Sequence, residues 1–255
     1  MTPETAAPQI SVLIPAYNEE RLIGRTLDAV HASFAALPAL TYEIVVCDNN
    51  STDKTTEAAL AKGARVVREP HNQIARARNT AAKNARGAWF IFLDADTFLT
   101  AKLLGDTVRA FEGGRICAGG TVLVFDREDI GWFPTFMCKL WNRVSVVLNL
   151  AAGAYLFCLR EAWVESGGFS EEVYAGEELY FSRRMQQWGR KRKMKFKILS
   201  DSPITTSARK MEWYSSWGIF GHVLRMLVPG AMKKKEACDL WYSRPADAAK
   251  VNAER

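Results

Sequence analysis

The sequence predicts an α/β chain: a mostly parallel, mixed sheet flanked by helices, with a small C-terminal extension. Two observations carry that expectation. Three short apolar runs, ISVLI, EIVVC and WFIFL, each stop in a polar cluster, and the segments between them repeat apolar residues at helical spacing. Ile10–Ile14 reads as a buried parallel strand stopped by Pro15. Ile23, Leu27, Val30 and Phe34 then mark an amphipathic helix from Glu20 to about Ala36. Glu43–Cys47 is a second strand, ending in the turn Asp48-Asn49-Asn50-Ser51-Thr52-Asp53. A helix follows through Leu60, closed by Gly63, then a short strand at Val66-Val67 and a helix over Ile74–Ala85 stopped by Gly87. Trp89–Leu93 is the third strong strand and runs into Asp94-Ala95-Asp96.

The second half is less regular. Ile116–Phe125 reads as a strand pair or one long strand, Phe136–Leu150 as a helix, Ala154–Leu159 as a strand, and about Glu178 to Trp188 as a helix carrying Leu179, Phe181, Met185 and Trp188 inward. The segment after Pro229 is charged and alanine-rich. Ligands of such sheets bind beyond the carboxyl ends of the strands. Tyr17-Asn18-Glu19, Asp48-Asn49-Asn50 and Asp94-Ala95-Asp96 each follow a predicted strand, so they are expected to meet at one rim.

Composition narrows the function classes. The chain has 255 residues, 48% hydrophobic and 24% charged, enough for one substantial core and too apolar for disorder. A net charge of +6 suits an anionic ligand or an acidic bilayer as well as an ordinary solvated surface, and no nucleic-acid module is visible. Five scattered cysteines without metal-ligand spacing read as reduced thiols of a cytoplasmic protein, and the polar start MTPETAAPQ does not read as a secretory signal. The longest uncharged stretch, Val144 to Leu159, is sixteen residues, short of the roughly 20 a bilayer span needs. A soluble protein, or one peripheral on the inner membrane face, is the expectation.

Asp94-Ala95-Asp96 offers two carboxylates beside a small residue, hard oxygen ligands suited to Mg²⁺ or Mn²⁺; a plain aspartate-rich turn has the same pattern. Tyr17 could stack on a base, while Asn18 followed by Glu19-Glu20 also suits a helix start. Asp48 could accept the ring N–H of a uracil, or cap the next helix with Ser51 and Asp53. Arg190-Lys191-Arg192-Lys193, with Lys195 and Lys197, read as a solvated strand edge sooner than a contact to the diphosphate or to anionic lipid. The aromatic patches Trp132, Phe133, Phe136, Trp141 and Trp213, Trp217, Phe220, Leu224, with Lys139, Arg143 and Arg225 among them, fit core packing or a membrane interface equally well.

SVLIPAYNEE, VVCDNNSTDKT, ARARNTAAKNARGAWFIFLDADT and GGFSEEVYAGEELYFSRRMQQWGRK, in that order over roughly residues 10–190, resemble glycosyltransferase family 2, inverting enzymes of the GT-A (Rossmann-like) fold. The resemblance implies a nucleotide-binding half at about 9–100 and an acceptor half at about 101–228 of a domain spanning 1–228, followed by a peripheral tail at 229–255. It implies a nucleotide-diphosphate sugar donor with a hydroxyl acceptor, and a nucleotide-sugar site of Pro15, Ala16, Tyr17, Glu19, Asp48, Arg78, Asn79, Asp94 and Ala95. Asp96 would hold a divalent cation. The family's catalytic base comes from an acidic pair at a helix start after a glycine turn; here Gly167-Gly168-Phe169 is the turn and Glu177-Glu178 the pair, with Glu178 aligned to the base. Thr205–Lys210 resembles a late segment of some relatives whose basic residues could contact phosphate, and His222 could stand where some relatives have a late metal-site histidine, although a surface or packing role is the ordinary reading of it. A nucleotidyltransferase is the rival enzyme, but PAYNEE lacks a glycine-rich phosphate loop. A non-catalytic nucleotide-sugar-binding regulator would not need the acids that stand here.

Overall fold

A computed structural model describes residues 7–209, 230–238 and Tyr242. His222, Lys210, the aromatic patch from Trp213 to Leu224 and most of the tail lie outside the described residues. The elements run β1 (Ile10–Ala16), α1 (Ile23–Ala35), β2 (Tyr42–Asp48), α2 (Thr55–Ala61), β3 (Arg65–Arg68), α3 (Ile74–Lys83), β4 (Trp89–Leu93), β5 (Thr97–Phe98), α4 (Ala101–Glu112), β6 (Ile116–Phe125), α5 (Trp132–Leu148), β7 (Tyr155–Leu159), α6 (Arg160–Ser166), α7 (Glu177–Lys191) and β8 (Lys195–Thr206).

One eight-stranded sheet takes the order β3-β2-β1-β4-β7-β6-β8-β5. The first four strands in that order are parallel, with Ala16 beside Asp48 and Leu13 beside Phe92, so their polar ends emerge together. β7 is inserted antiparallel between β4 and β6, and β6 and β8 run parallel beyond it. The sheet is thus mixed, as expected, with the parallel half carrying the converging loops.

Period-2 alternation sorts the core. Ile10, Val12 and Ile14 of β1 pack with Ile23, Leu27, Val30 and Phe34 of α1 and with Leu103, Leu104, Val108 and Phe111 of α4, while Leu13 faces Ala75, Ala77 and Ala81 of α3 and Phe181 and Met185 of α7. The alanines let α3 lie close against the strands. Two helices were not foreseen, α4 and α6, nor was the two-residue β5. α4 has ordinary start chemistry, since the Thr100 hydroxyl accepts from the Leu103 N–H at 3.2 Å. Ile116–Phe125 is one strand rather than two.

α1 starts at Ile23 rather than Glu20. Asn18 does not cap it: Asn18 takes a left-handed backbone (φ 54°) and its side chain accepts from Thr52 N–H at 2.8 Å instead. The basic residues after Trp188 resolve into the last turn of α7, where Arg190 and Lys191 face the negative end of the helix dipole, and into exposed Lys195 and Lys197 of β8. Arg192 lies over the Trp188 ring, 4.1 Å from its centroid.

Gly119 in β6 is required by space. A Cβ there would lie 2.5 Å from Phe157 Cζ and closer still to the Lys197 carbonyl oxygen of β8. Gly119→Ala is expected to destabilise the protein by about 1–3 kcal/mol through overpacking, read as a lower denaturation midpoint at unchanged slope.

Candidate active site

The rim forms because the first two loops are stitched together. Asn18 N–H donates to Ser51 Oγ at 3.0 Å, Glu19 N–H to Thr55 Oγ1 at 2.7 Å and Glu20 N–H to Asp53 Oδ2 at 3.2 Å; Lys54 N–H returns a bond to Glu20 Oε2 at 3.0 Å. Asp48 closes its own turn, accepting from Ser51 N–H at 2.8 Å and Thr56 Oγ1 at 3.1 Å. Capping and ligand binding are compatible here, since each carboxylate oxygen keeps a further lone pair. Pro15 and Tyr17 are half-buried, and Ala16 and Glu19 are buried.

The loop after β4 joins the same rim. Thr26 Oγ1 of α1 donates to the Ala95 carbonyl at 2.7 Å, and Arg209, just past β8, donates to Glu19 at 2.7 and 2.8 Å while its guanidinium stands 3.9 Å from Asp96 Oδ2. Ser207 N–H donates to the Asp96 carbonyl at 2.9 Å. The sequence placed Arg209 only within a weak late basic segment; its pairing partners lie far back in the chain, out of reach of any local pattern.

Arg78 of α3 is the buried hub. Its guanidinium donates to Asp94 Oδ1 at 2.9 Å, to the Gly153 carbonyl at 2.9 Å and to Glu177 Oε1, and lies over the Phe169 ring. Burial disfavours its charge, but Asp94, Glu177 and Glu178 around it more than restore it. Gly153 is small for a reason: a Cβ there would meet Arg78 Nη2 at 3.0 Å. Asn79 faces another way, tying down the glycine turn by donating to the Phe169 carbonyl at 3.0 Å and accepting from Phe169 N–H at 3.0 Å.

Gly176, in a left-handed conformation (φ 75°), starts α7 and sets Glu177 and Glu178 in its first turn. Glu177 is buried against Arg78, and burial outweighs that attraction to push its pKa up. Glu178 is half-buried. Desolvation first, and the neighbouring Glu177 charge second, raise its pKa to about 8. Among the described residues no side chain hydrogen-bonds the Glu178 carboxylate, which separates it from its neighbour.

Met232 and Tyr242 brace the loop ahead of α7. Tyr174 N–H donates to the Met232 carbonyl at 2.7 Å, and the Tyr242 hydroxyl accepts from Ile74 N–H at 3.2 Å and donates to the Tyr174 carbonyl at 2.8 Å. Gln73 adds two bonds of 2.9 Å to the Glu171 and Val173 carbonyls. None of these braces carried a sequence signal beyond polar residues in a loop.

Among the described residues no group of three or more His, Cys, Asp and Glu side chains is arranged to hold a metal. The donor chemistry nevertheless fits Mg²⁺ or Mn²⁺ of the kind bound by one or two carboxylates plus substrate phosphates. Asp96 is a hard oxygen donor at the rim, and the Arg209 guanidinium stands 3.9 Å from it.

A twisted mixed sheet with acidic and aromatic loops at the carboxyl ends of its parallel strands, and a glutamate pair at a facing helix start, is the architecture of the GT-A fold of glycosyltransferases. The chain belongs to glycosyltransferase family 2: the model of "Glycosyl transferase family 2" matches residues 11–154. Glycosyltransferase AglE of Haloferax volcanii is 26% identical over 192 residues, covering 71% of this chain, and the chain spans only 62% of that relative's length. Among solved structures, the mannosyltransferase PcManGT of Pyrobaculum calidifontis in complex with GDP-Man and Mn²⁺ superposes with a TM-score of 0.63 at 19% identity, over 98% of this chain and 80% of that one. Glucosyl-3-phosphoglycerate synthase of Mycobacterium tuberculosis, in complex with Mn²⁺, UDP-Glc and phosphoglyceric acid, gives 0.60 at 19% identity, over 91% and 81%. The chain thus carries a family 2 glycosyltransferase domain, and no helix among the described residues is long and apolar enough to cross a membrane.

Proposed function

We propose that the protein transfers a sugar from a UDP-linked donor to a hydroxyl acceptor with inversion, using Glu178 as general base and Asp96 to hold a divalent cation. The observation that carries this reading is the contrast within the glutamate pair. Glu177 is spent on Arg78, whereas Glu178, one residue on, accepts no side-chain hydrogen bond among the described residues and has its proton affinity raised. In the displacement, the acceptor oxygen attacks the anomeric carbon while its proton passes to Glu178, and the bond to the diphosphate oxygen breaks with its electron pair. Mg²⁺ or Mn²⁺ at Asp96 would neutralise charge on the departing diphosphate. Tyr17 and Asp48 border the base, Asp94, oriented by Arg78, faces the ribose or sugar, and Arg209 is aimed at the phosphates when it leaves Asp96. The divisions at about 100 and 228 follow the donor and acceptor roles, and the scattered thiols suit a reducing, cytoplasmic setting.

A panel of nucleotide sugars assayed for release of free nucleotide tests the reading. Release is expected from a UDP-sugar only when Mg²⁺ or Mn²⁺ is present, to stop on chelation, and to demand far more metal in Asp96→Asn. Metal-independent release, or turnover of nucleoside triphosphates alone, refutes it.

The raised pKa of Glu178 fixes the sign of the pH dependence. A base must be unprotonated, so kcat/KM is expected to climb with pH toward about 8 and then level, instead of saturating near pH 5 as an ordinary carboxylate would allow. A profile flat from pH 5.5 to 8.5 would remove the perturbed glutamate from the rate-determining step.

A further inference from the structure

α5 is the exception in a well-packed molecule. Of its seventeen residues only Pro134 and Ser145 are buried, whereas Trp132 is 79% exposed, Phe136 54% and Val147 76%, with Leu140, Val146 and Leu148 exposed beside them. Positions 132, 136, 139, 140, 143 and 147 fall at spacings of three and four, so they share one face of the helix. Lys139 and Arg143, both exposed, lie on that face among the apolar side chains. A cavity of about 590 Å³ opens between Glu128, Asp129 and Gly131 and the Trp132–Phe136 turn.

We propose that this face of α5 seats the protein on the surface of an anionic lipid bilayer. Three features favour lipid over a protein partner. The apolar core of a protein interface is depleted in lysine, but here Lys139 stands mid-face, where a long side chain can bury its stem and lift its ammonium to a phosphate headgroup. Trp and Phe at one end of the face and aliphatic residues at the other are what a helix lying in the headgroup boundary presents. The net charge of +6 attracts the whole molecule to an acidic surface, and the nearby Asp129 is already offset by Arg127 at 2.6 Å.

The position of α5 gives the contact a purpose. Its N-terminal approach is tied to the active-site rim, since Asp126 Oδ1 accepts from Ala208 N–H at 2.9 Å next to Arg209. Its C-terminal end leads into Leu150–Ala154, where the Gly153 carbonyl meets Arg78 and the Ala154 carbonyl accepts from Asp94 N–H at 3.2 Å. A bilayer against α5 lies beside the catalytic rim. The acceptor class this implies, a hydroxyl carried on a membrane-anchored molecule, rests on the transferase reading above; the docking does not.

Flotation with phosphatidylcholine vesicles, with and without 30% phosphatidylglycerol, tests the docking without any assay of turnover. The full chain is expected to float with the anionic vesicles and to be released by high salt. Trp132→Ser combined with Phe136→Ser should weaken binding at least about tenfold, from the apolar area lost, and Lys139→Glu with Arg143→Glu about tenfold, with little effect on neutral vesicles. These side chains are exposed, so circular dichroism should show both variants folded. Absence of flotation with either vesicle overturns the proposal, as does equal binding to both compositions. Concentration-dependent self-association that the Trp132/Phe136 variant abolishes, without vesicle binding, assigns the face to a second copy of the chain and overturns it too.

Discussion

Glu178→Gln is expected to lower kcat by about 10²–10⁴, the usual contribution of a general base, while nucleotide affinity by calorimetry stays at the wild-type value. The amide is nearly isosteric and keeps the first turn of α7, but it cannot take the acceptor's proton. Glu177→Gln is the informative partner. It removes a buried negative charge from beside Arg78, so its main effect should be on stability and on the position of Asp94, with a smaller effect on the chemical step at saturating substrate. If Glu178→Gln turns over normally and Glu177→Gln does not, the base is Glu177 and the pair has been assigned backwards.

Arg78→Met should give the largest loss of stability of any single change at the site. The guanidinium, 2% exposed, is the counter-charge for Glu177 and Asp94 and the donor to the Gly153 carbonyl. Removing one partner of a buried ionic cluster leaves the others uncompensated, which costs on the order of 3–5 kcal/mol. Urea titration at pH 7.5 should show that deficit, and it should shrink as the pH falls, because protonated carboxyls no longer need the cation. Arg78→Lys should recover only part of it, since one ammonium cannot replace a planar fork that reaches three acceptors. A deficit unchanged between pH 5 and 7.5 would mean that lost packing over Phe169, not lost charge, accounts for the destabilisation.

Much of the site was legible because strand ends leave strong local marks. Apolar runs halted at Pro15, Asp48 and Asp94 place three polar loops on one rim, since parallel strands share a direction, and the structure joins the first two by bonds between residues 18–20 and 51–55 and holds the third through Thr26 and Ala95. The acidic pair was readable only through the family resemblance, since acidic residues at a helix start after a glycine turn are also ordinary dipole chemistry. What escaped was pairing over distance. Arg78 sits in an alanine-rich helix where nothing local tells a solvated arginine from a buried one; its partner Glu177 is 99 residues away. Arg209 and Tyr242 escaped likewise. α4 was different. Its Thr100 start, its apolar residues at positions 103, 104, 108 and 111 and the glycines that close it were present, and Gly105 and Thr107 merely weakened the pattern. α5 shows the opposite failure: its aromatic residues fit a core helix and a surface helix alike, and only its seat on the outside of the sheet decides between them.

The bond from Ile74 N–H to the Tyr242 hydroxyl spans 168 positions. The last strand ends at Thr206, and the rim contacts of Ser207 and Arg209 follow directly. The segment leading into the glutamate helix is fastened further downstream, to Met232 and Tyr242. The loop ahead of the glutamate pair thus owes its order to residues that follow every strand of the sheet, so its shape is separable from the architecture behind it.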